Sequence, residues 1–380
     1  MLIGVPKEIK SHEYRVGLVP GSVREIVYHG HEVIIETGAG LQCGFKDEVY
    51  QQVGARVVSS AQEVFSQADM IVKVKEPQPS EISLLREGQV LFTYLHLAPD
   101  LQQTEGLIRS KCIAIAYETV TELQGGLPLL RPMSEVAGRM SVQVGAHALE
   151  KYSGGSGVLL GGVPGVEAAH VVILGGGVVG MNAARMAVGL EAKVTIIDKS
   201  LLRLEQLDRE FGPRLNTVYA TIESIEHYVT QADLVVGAVL IPGAAAPRLV
   251  TAEMIRKMRP GSVLVDVAID QGGCFETSRP TTHDKPTYTV DGIVHYCVAN
   301  MPSGVARTST LALNNATLPF VLEIANKGYC QALLDNSHLR NGLNIFLGEV
   351  TCEPVAKNLG YHFIDPYPML KAISPEKRVG

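Results

Sequence analysis

Residues 169–198 read AHVVILGGGVVGMNAARMAVGLEAKVTIID. The run from Val171 to Leu174 has the length and β-branched content of a buried strand. Gly175, Gly177 and Gly180 then satisfy G-x-G-x-x-G, with Gly176 a further glycine inside the loop. Ala183, Ala184, Met186 and Ala187 follow at helical spacing, and Lys193 to Ile197 predicts a second strand ending on Asp198. In such a unit the first glycine permits a tight turn, the second lets a pyrophosphate approach the backbone, and the third lets helix and strand pack closely. Asp198 lies eighteen residues beyond Gly180, near the place of the acid that accepts hydrogen bonds from the adenosine ribose hydroxyls. A carboxylate there disfavours a 2′-phosphate, so NAD is expected over NADP, with Lys199 the one residue that speaks the other way. The plainer reading is a glycine loop that only joins two packed elements. Strand, helix, second strand and acid all agree, and they favour the dinucleotide.

At 380 residues the chain exceeds one ordinary core, so two domains are expected. A net charge of −6 without a Lys/Arg cluster argues against nucleic acid or an anionic membrane as partner and leaves a small molecule. The start, MLIGVPKEIK, has too few apolar residues for a signal-peptide core, and no later run approaches a membrane span, so a cytoplasmic location is expected. Cys43, Cys112, Cys274, Cys297, Cys330 and Cys352 show no metal-like spacing and are expected to be buried free thiols.

Residues 1–130 alternate strand-like runs (Leu2–Val5, Glu32–Glu36, Ala55–Val58, Met70–Lys75, Gln89–Leu95, Cys112–Val120) with helical patterns, which predicts a second parallel, doubly wound sheet. Ligands bind outside the carboxyl ends of the strands in such sheets. Lys75 and His96 are read as strand ends, with Glu118 near a third. Lys75 is either a solvated strand end or a substrate contact, and His96 either a structural histidine or a proton carrier. Arg15, in HEYRVGLVP, suits a surface position or a carboxylate ligand.

Residues 131–306 are expected to form the dinucleotide domain. Pro132 is read as a break, with Ser134 as a cap of the following helix. After Asp198 the βα pattern continues to a strand over Ser262–Ala268. Asp270, between that strand and two glycines, is read as a general base or as a turn former. Residues 294–306 predict a strand breaking at Asn300–Pro302, and 308–328 a long helix with a kink at Pro319 that returns the chain to the first domain. The fold class is thus α/β, with a Rossmann domain and a substrate domain built from residues 1–130 and 307–380.

Taken together, the segments GVPKEIKSHEYRVGLVP, VKVKEP, LFTYLHLA, AYETV, RPMSEVAGR, GGVPGV, GAVLIPGA, DVAIDQGGCFETSRPTT and VANMPSGVARTST resemble the alanine dehydrogenase family over essentially the whole chain. The resemblance implies reversible oxidative deamination of L-alanine by NAD and water to pyruvate, ammonia and NADH. It implies that Arg15 and Lys75 hold the substrate carboxylate, that His96 is the general acid/base, and that Asp270 assists proton transfer. On the cofactor side it implies contacts from Ser134, Val178, Val179, Asp198 and Arg203. Further contacts are implied at Val239, Leu240, Val267, Ala268, Ile269 and Asp270, and at Arg279, Val298, Ala299, Asn300 and Met301.

The family is usually hexameric, so a homohexamer is expected. Two departures stand out. A Glu/His metal pair found in some members is Glu323 and Lys327 here, so no metal is expected, and a cofactor-contacting serine of some relatives is Ala220. The competing readings are the NAD-binding subunit of a transhydrogenase, a lysine-pathway dehydrogenase, and a non-catalytic NAD sensor. The histidine in LFTYLHLA argues against the first, and the joint presence of Arg15, Lys75, His96 and Asp270 against the last.

Overall fold

Strand β7 (His170–Leu174) carries the glycine turn, and its side chains divide between two cores. Val171 and Ile173 pack with Ala183, Ala184 and Ala187 of the helix Val178–Gly189. Val172 and Leu174 pack on the opposite face with Ile225, Val229, Met254 and Ile255. Burial on both faces is why the strand reads as an unbroken apolar run. The computed structural model describes residues 1–239 and 246–373. Contacts divide these residues into two compact units, one of Met1–Met133 with the chain from Val305 onward, the other of Ser134–Gly304.

The first unit begins with β1 (Leu2–Val5), β2 (Glu32–Glu36), β3 (Arg56–Val58), β4 (Met70–Val72), β5 (Val90–Thr93) and β6 (Ile113–Ala116). These strands are mutually parallel where they pair. The second unit adds to β7 the strands β8 (Lys193–Asp198), β9 (Asn216–Tyr219), β10 (Leu234–Gly237), β11 (Val263–Asp266), β12 (Thr287–Val290) and β13 (Ile293–Tyr296). Its seven-stranded sheet runs β12-β13-β11-β10-β7-β8-β9, with only the β12–β13 pair antiparallel. This is a doubly wound Rossmann sheet whose order reverses at β7.

The chain then re-enters the first unit. After the helix Ala306–Lys327, strands β14 (Leu343–Phe346) and β15 (Glu349–Val350) join antiparallel to the edge at β6. They complete an eight-stranded order of β15-β14-β6-β5-β4-β1-β2-β3. Among the described residues no helix is long and apolar enough to cross a membrane.

Several local expectations need correction. The helix Arg131–Ala148 starts ahead of Pro132, because a proline in the first turn lacks only a donor that has no partner there anyway. Ser134 therefore lies within the helix and does not cap it. Strand β4 stops at Val72, so Lys75 sits three residues beyond the strand end. Strand β11 stops at Asp266, whose carboxylate accepts the N–H of Ala268 at 3.1 Å and turns the chain into a 3-10 segment, Val267–Gln271. The long helix expected over 308–328 is present as Ala306–Lys327, with Pro319 inside it.

Candidate active site

The glycine turn is built as its spacing requires. Gly175 has φ of 100°, a left-handed conformation that favours glycine. A Cβ on Gly180 would lie 1.8 Å from the carbonyl oxygen of Gly175, so the third glycine serves helix–strand packing. A Cβ on Gly177 would meet no protein atom within 4 Å. That position is open, and the helix Val178–Gly189 that starts behind it has no side-chain cap on its N–H groups, which is the cradle a pyrophosphate needs.

Asp198 ends β8 and braces the turn. Its carboxylate accepts the N–H of Gly176 at 2.6 Å and that of Ser200 at 2.8 Å. The Arg203 Nε donates to the carbonyl of Gly176. Other predicted cofactor contacts follow strand ends on the same edge, because all the strands concerned are parallel. Ala220 follows β9 and its N–H donates to the Asp198 carbonyl at 3.0 Å. Val239 follows β10, and Val267, Ala268, Ile269 and exposed Asp270 follow β11. Val298, Ala299, Asn300 and Met301 follow β13. Asn300 has φ of 59°. Leu240 lies outside the described residues.

Two predicted contacts reach this unit by other routes. Ser134 is one turn before Gly138, where a Cβ would lie 2.2 Å from the Val179 carbonyl oxygen, so that helix lies directly against the start of the helix behind the glycine turn. Arg279 is exposed, its guanidinium 4.3 Å from the centre of the Tyr288 ring. Asp266, the last residue of β11, is fully buried and organises the Asp270 loop. Its carboxylate accepts the N–H of Cys274 at 2.9 Å and the hydroxyl of Ser278 at 2.5 Å. Burial raises its pKa, against the lowering effect of these hydrogen bonds.

The first unit gathers the polar groups at the carboxyl edge of its own sheet. Arg15 is buried and held in a bidentate pair by Glu13, with Nε to Oε1 at 2.7 Å and Nη2 to Oε2 at 2.6 Å. Its Nη1 lies 2.9 Å from the Met133 sulfur. Burial would lower the guanidinium pKa, but the hydrogen bonds and charge of Glu13 outweigh it and hold it above its ordinary value. Asn314 fixes the loop beyond Arg15, accepting from Val19 N–H at 2.8 Å and donating to the Gly17 carbonyl at 3.1 Å.

Lys75 is half-buried, and its carbonyl accepts from the Thr93 hydroxyl at 2.9 Å. Next to it, Glu76 pairs with Lys10. Burial opposes ionisation of Glu76, but the Lys10 hydrogen bond and the Lys75 charge prevail and lower its pKa.

His96 stands three residues beyond β5, with φ of 50° and a ring stacked on Tyr94 at 5.8 Å. The Tyr94 hydroxyl is itself anchored on the Leu129 carbonyl. Glu118, just past β6, accepts the backbone N–H groups of Leu95 and His96, and its Oε1 lies 3.8 Å from His96 Nδ1. The sheet thus carries one cationic fork and one displayed imidazole at its edge, each held by a carboxylate. Sequence alone does not mark Glu13 or Tyr94 as partners of Arg15 and His96; the alternate spacing of Glu13 and Arg15 in a short loop is a hint of the first pair.

A family model described as alanine dehydrogenase/PNT, N-terminal domain, matches residues 4–137, and the corresponding C-terminal domain model matches residues 141–353. The chain belongs to the alanine dehydrogenase/PNT family. Among curated members of that family it is 57% identical to the alanine dehydrogenase of Halomonas elongata, over 96% of this chain and 98% of that one. It is 59% identical to the alanine dehydrogenase of Methanococcus maripaludis, over 94% and 96% respectively. A solved structure titled L-alanine dehydrogenase superposes with a TM-score of 0.92 at 53% identity, covering 97% of this chain and all of that one.

Proposed function

We infer that this alanine dehydrogenase family member is an NAD-dependent enzyme catalysing the reversible oxidative deamination of L-alanine to pyruvate and ammonia. The observation that carries the reading at the level of residues is the open cradle at Gly177, in a chain that also holds a carboxylate-paired arginine, Arg15, and a histidine, His96, tied to Glu118. The unit of residues 134–304 is the NAD-binding domain, and the unit built from both chain ends is the substrate domain.

Arg15 and Lys75 take the carboxylate of L-alanine. The bidentate grip of Glu13 fixes the plane of the guanidinium. Two cations on one carboxylate orient Cα for transfer of its hydride. The cradle at Gly175–Gly180 with Val178 and Val179, the acid Asp198, and the strand-end residues hold NAD, which when bound supplies the hydride acceptor.

Loss of hydride from Cα leaves an iminium on the substrate. His96 removes a proton from the water that adds to it, and returns one to nitrogen as ammonia departs. Asp270, on an exposed turn braced by Asp266, assists these transfers. The balance is L-alanine, NAD⁺ and water to pyruvate, ammonium, NADH and one proton. A cytoplasmic homohexamer is part of the proposal, and light scattering on the purified enzyme reads the oligomer.

The deciding experiment follows NADH formation with NAD and a panel of L-amino acids at alkaline pH, and NADH consumption on pyruvate with ammonium. Alanine is expected to lead in the first assay and pyruvate to turn over in the second. Absence of turnover with every amino acid, despite NAD binding, would overturn the reading.

A further inference from the structure

A charge cluster that no catalytic step uses is sealed inside the first unit. Lys73 is 1% exposed, and its ammonium donates to Glu8 Oε2 at 3.2 Å and Glu81 Oε1 at 2.7 Å. Glu8 and Glu81 are 7% and 2% exposed. Taking three charges out of water costs several kcal/mol per ion, and apolar side chains of the same volume often stabilise a core at least as well. Stability alone therefore does not account for the cluster.

The outer oxygens of the two carboxylates supply the account. Glu8 Oε1 accepts the backbone N–H of Val74 at 2.7 Å and of Lys75 at 3.4 Å. Glu81 Oε2 accepts the N–H of Gln78 at 2.8 Å. The triad thus grips both ends of the short segment that leaves β4, beyond the last backbone bonds that join it to the neighbouring chain, Lys73 N–H to the Phe92 carbonyl at 3.2 Å and Tyr94 N–H to the Val74 carbonyl at 3.3 Å. Thr93 holds the same segment from β5 through the Lys75 carbonyl. Lys73 is the post between the two grips, and flanking carboxylates keep its ammonium charged against the effect of burial.

We propose that Glu8, Lys73 and Glu81 form a positioning device that sets the backbone of Lys75 and, through it, the affinity for the substrate carboxylate. The proposal rests on the reading of Lys75 as a carboxylate ligand. Glu8 and Lys73 touch no reacting atom in this scheme, so their effect belongs in KM for L-alanine.

The test is a double-mutant cycle in the full-length enzyme with Glu8→Gln and Lys75→Met, with kcat and both KM values measured. Glu8→Gln is expected to raise KM for L-alanine about tenfold, since displacements of an ångström carry effects of this order or larger. KM for NAD should stay unchanged and kcat should hold within about threefold. In the Lys75→Met background the same substitution should add nothing, because its effect passes through Lys75.

Multiplying effects, or an unchanged alanine KM in Glu8→Gln while Lys75→Met raises it, would overturn the proposal and leave the function standing. An unchanged KM in Lys75→Met would instead overturn the role of Lys75 itself, and the positioning role with it. If Glu8→Gln does not fold, the charge-free triple variant E8Q/K73M/E81Q enters the same cycle with the same expected outcomes.

Discussion

The carboxylate of Glu118 accepts the backbone N–H of His96 at 2.6 Å and that of Leu95 at 3.2 Å. Between them the chain adopts the left-handed conformation at His96, which costs a non-glycine residue on the order of 1–3 kcal/mol and persists only where its surroundings enforce it. Glu118→Ala removes the enforcement. It is expected to lower kcat by about 10–100-fold, while His96→Ala lowers it by about 10²–10⁴-fold, and both variants should bind NADH with unchanged affinity by fluorescence titration. Normal turnover in Glu118→Ala would show that the tie does not orient the ring.

The glycine turn makes two substitutions diverge. Gly180→Ala places a methyl 1.8 Å from a carbonyl oxygen and is expected to destabilise the protein by about 1–3 kcal/mol or more, as overpacking does. Gly177→Ala meets no protein atom and its φ of −66° suits alanine, so the melting temperature should hold. NAD affinity should nevertheless fall about tenfold, the order of weakening expected when a Cβ keeps the pyrophosphate from the backbone. Wild-type NAD affinity in Gly177→Ala would remove the cradle from the binding site.

Asp198 braces the glycine loop, and one variant tests the proposal that it also selects the cofactor. Asp198→Ala withdraws the acceptor from Gly176 and Ser200 and the negative charge that disfavours a 2′-phosphate. The ratio of kcat/KM for NAD over NADP is expected to fall about tenfold or more, the size of one charged hydrogen bond. An unchanged ratio with weaker binding of both cofactors would assign Asp198 to bracing the loop alone.

Burial raises the Cys112 thiol from its ordinary 9.0 to about 11. The folded state therefore favours the protonated form, and this contribution is complete below pH 9 and lost as pH rises through 11. Two pKa units correspond to about 3 kcal/mol. Cys112→Ala should accordingly lose less stability than the wild type between pH 9 and pH 11 in urea titrations. Cys112 should also resist iodoacetamide at pH 8 until the protein is unfolded. Equal pH slopes for both proteins would show that the thiol titrates normally.

What could be read along the chain was local in it. The strand, turn and helix around Gly175–Gly180 announce themselves because their periodicities and glycines lie within thirty residues. The grips on the site do not. Glu8 and Lys73 are 65 residues apart and Glu118 and His96 are 22 apart, and nothing in either neighbourhood marks a partner. The apolar alternation through Val74 extends the apparent strand to Lys75, whereas Val74 is buried by packing and its N–H goes to Glu8. Pro132 reads as a stop and so points to a helix start at Ser134, although a first-turn proline is a beginning. Tertiary hydrogen bonds decided each of the first cases, and position within the helix decided the last.

The edge at β6 has a bearing on how the molecule is made. Ile113–Ala116 are fully buried in the finished sheet, and β14 covers one side of them. On the ribosome, residues 134–304 all emerge before residues 343–346. The inserted unit is contiguous and has every one of its strands in hand, so it can finish folding while the unit that began first waits with an apolar, unpaired edge. The long delay between β6 and β14 makes that edge the natural place for chaperone capture or misassembly, until the segment that follows residue 304 brings β14 to it.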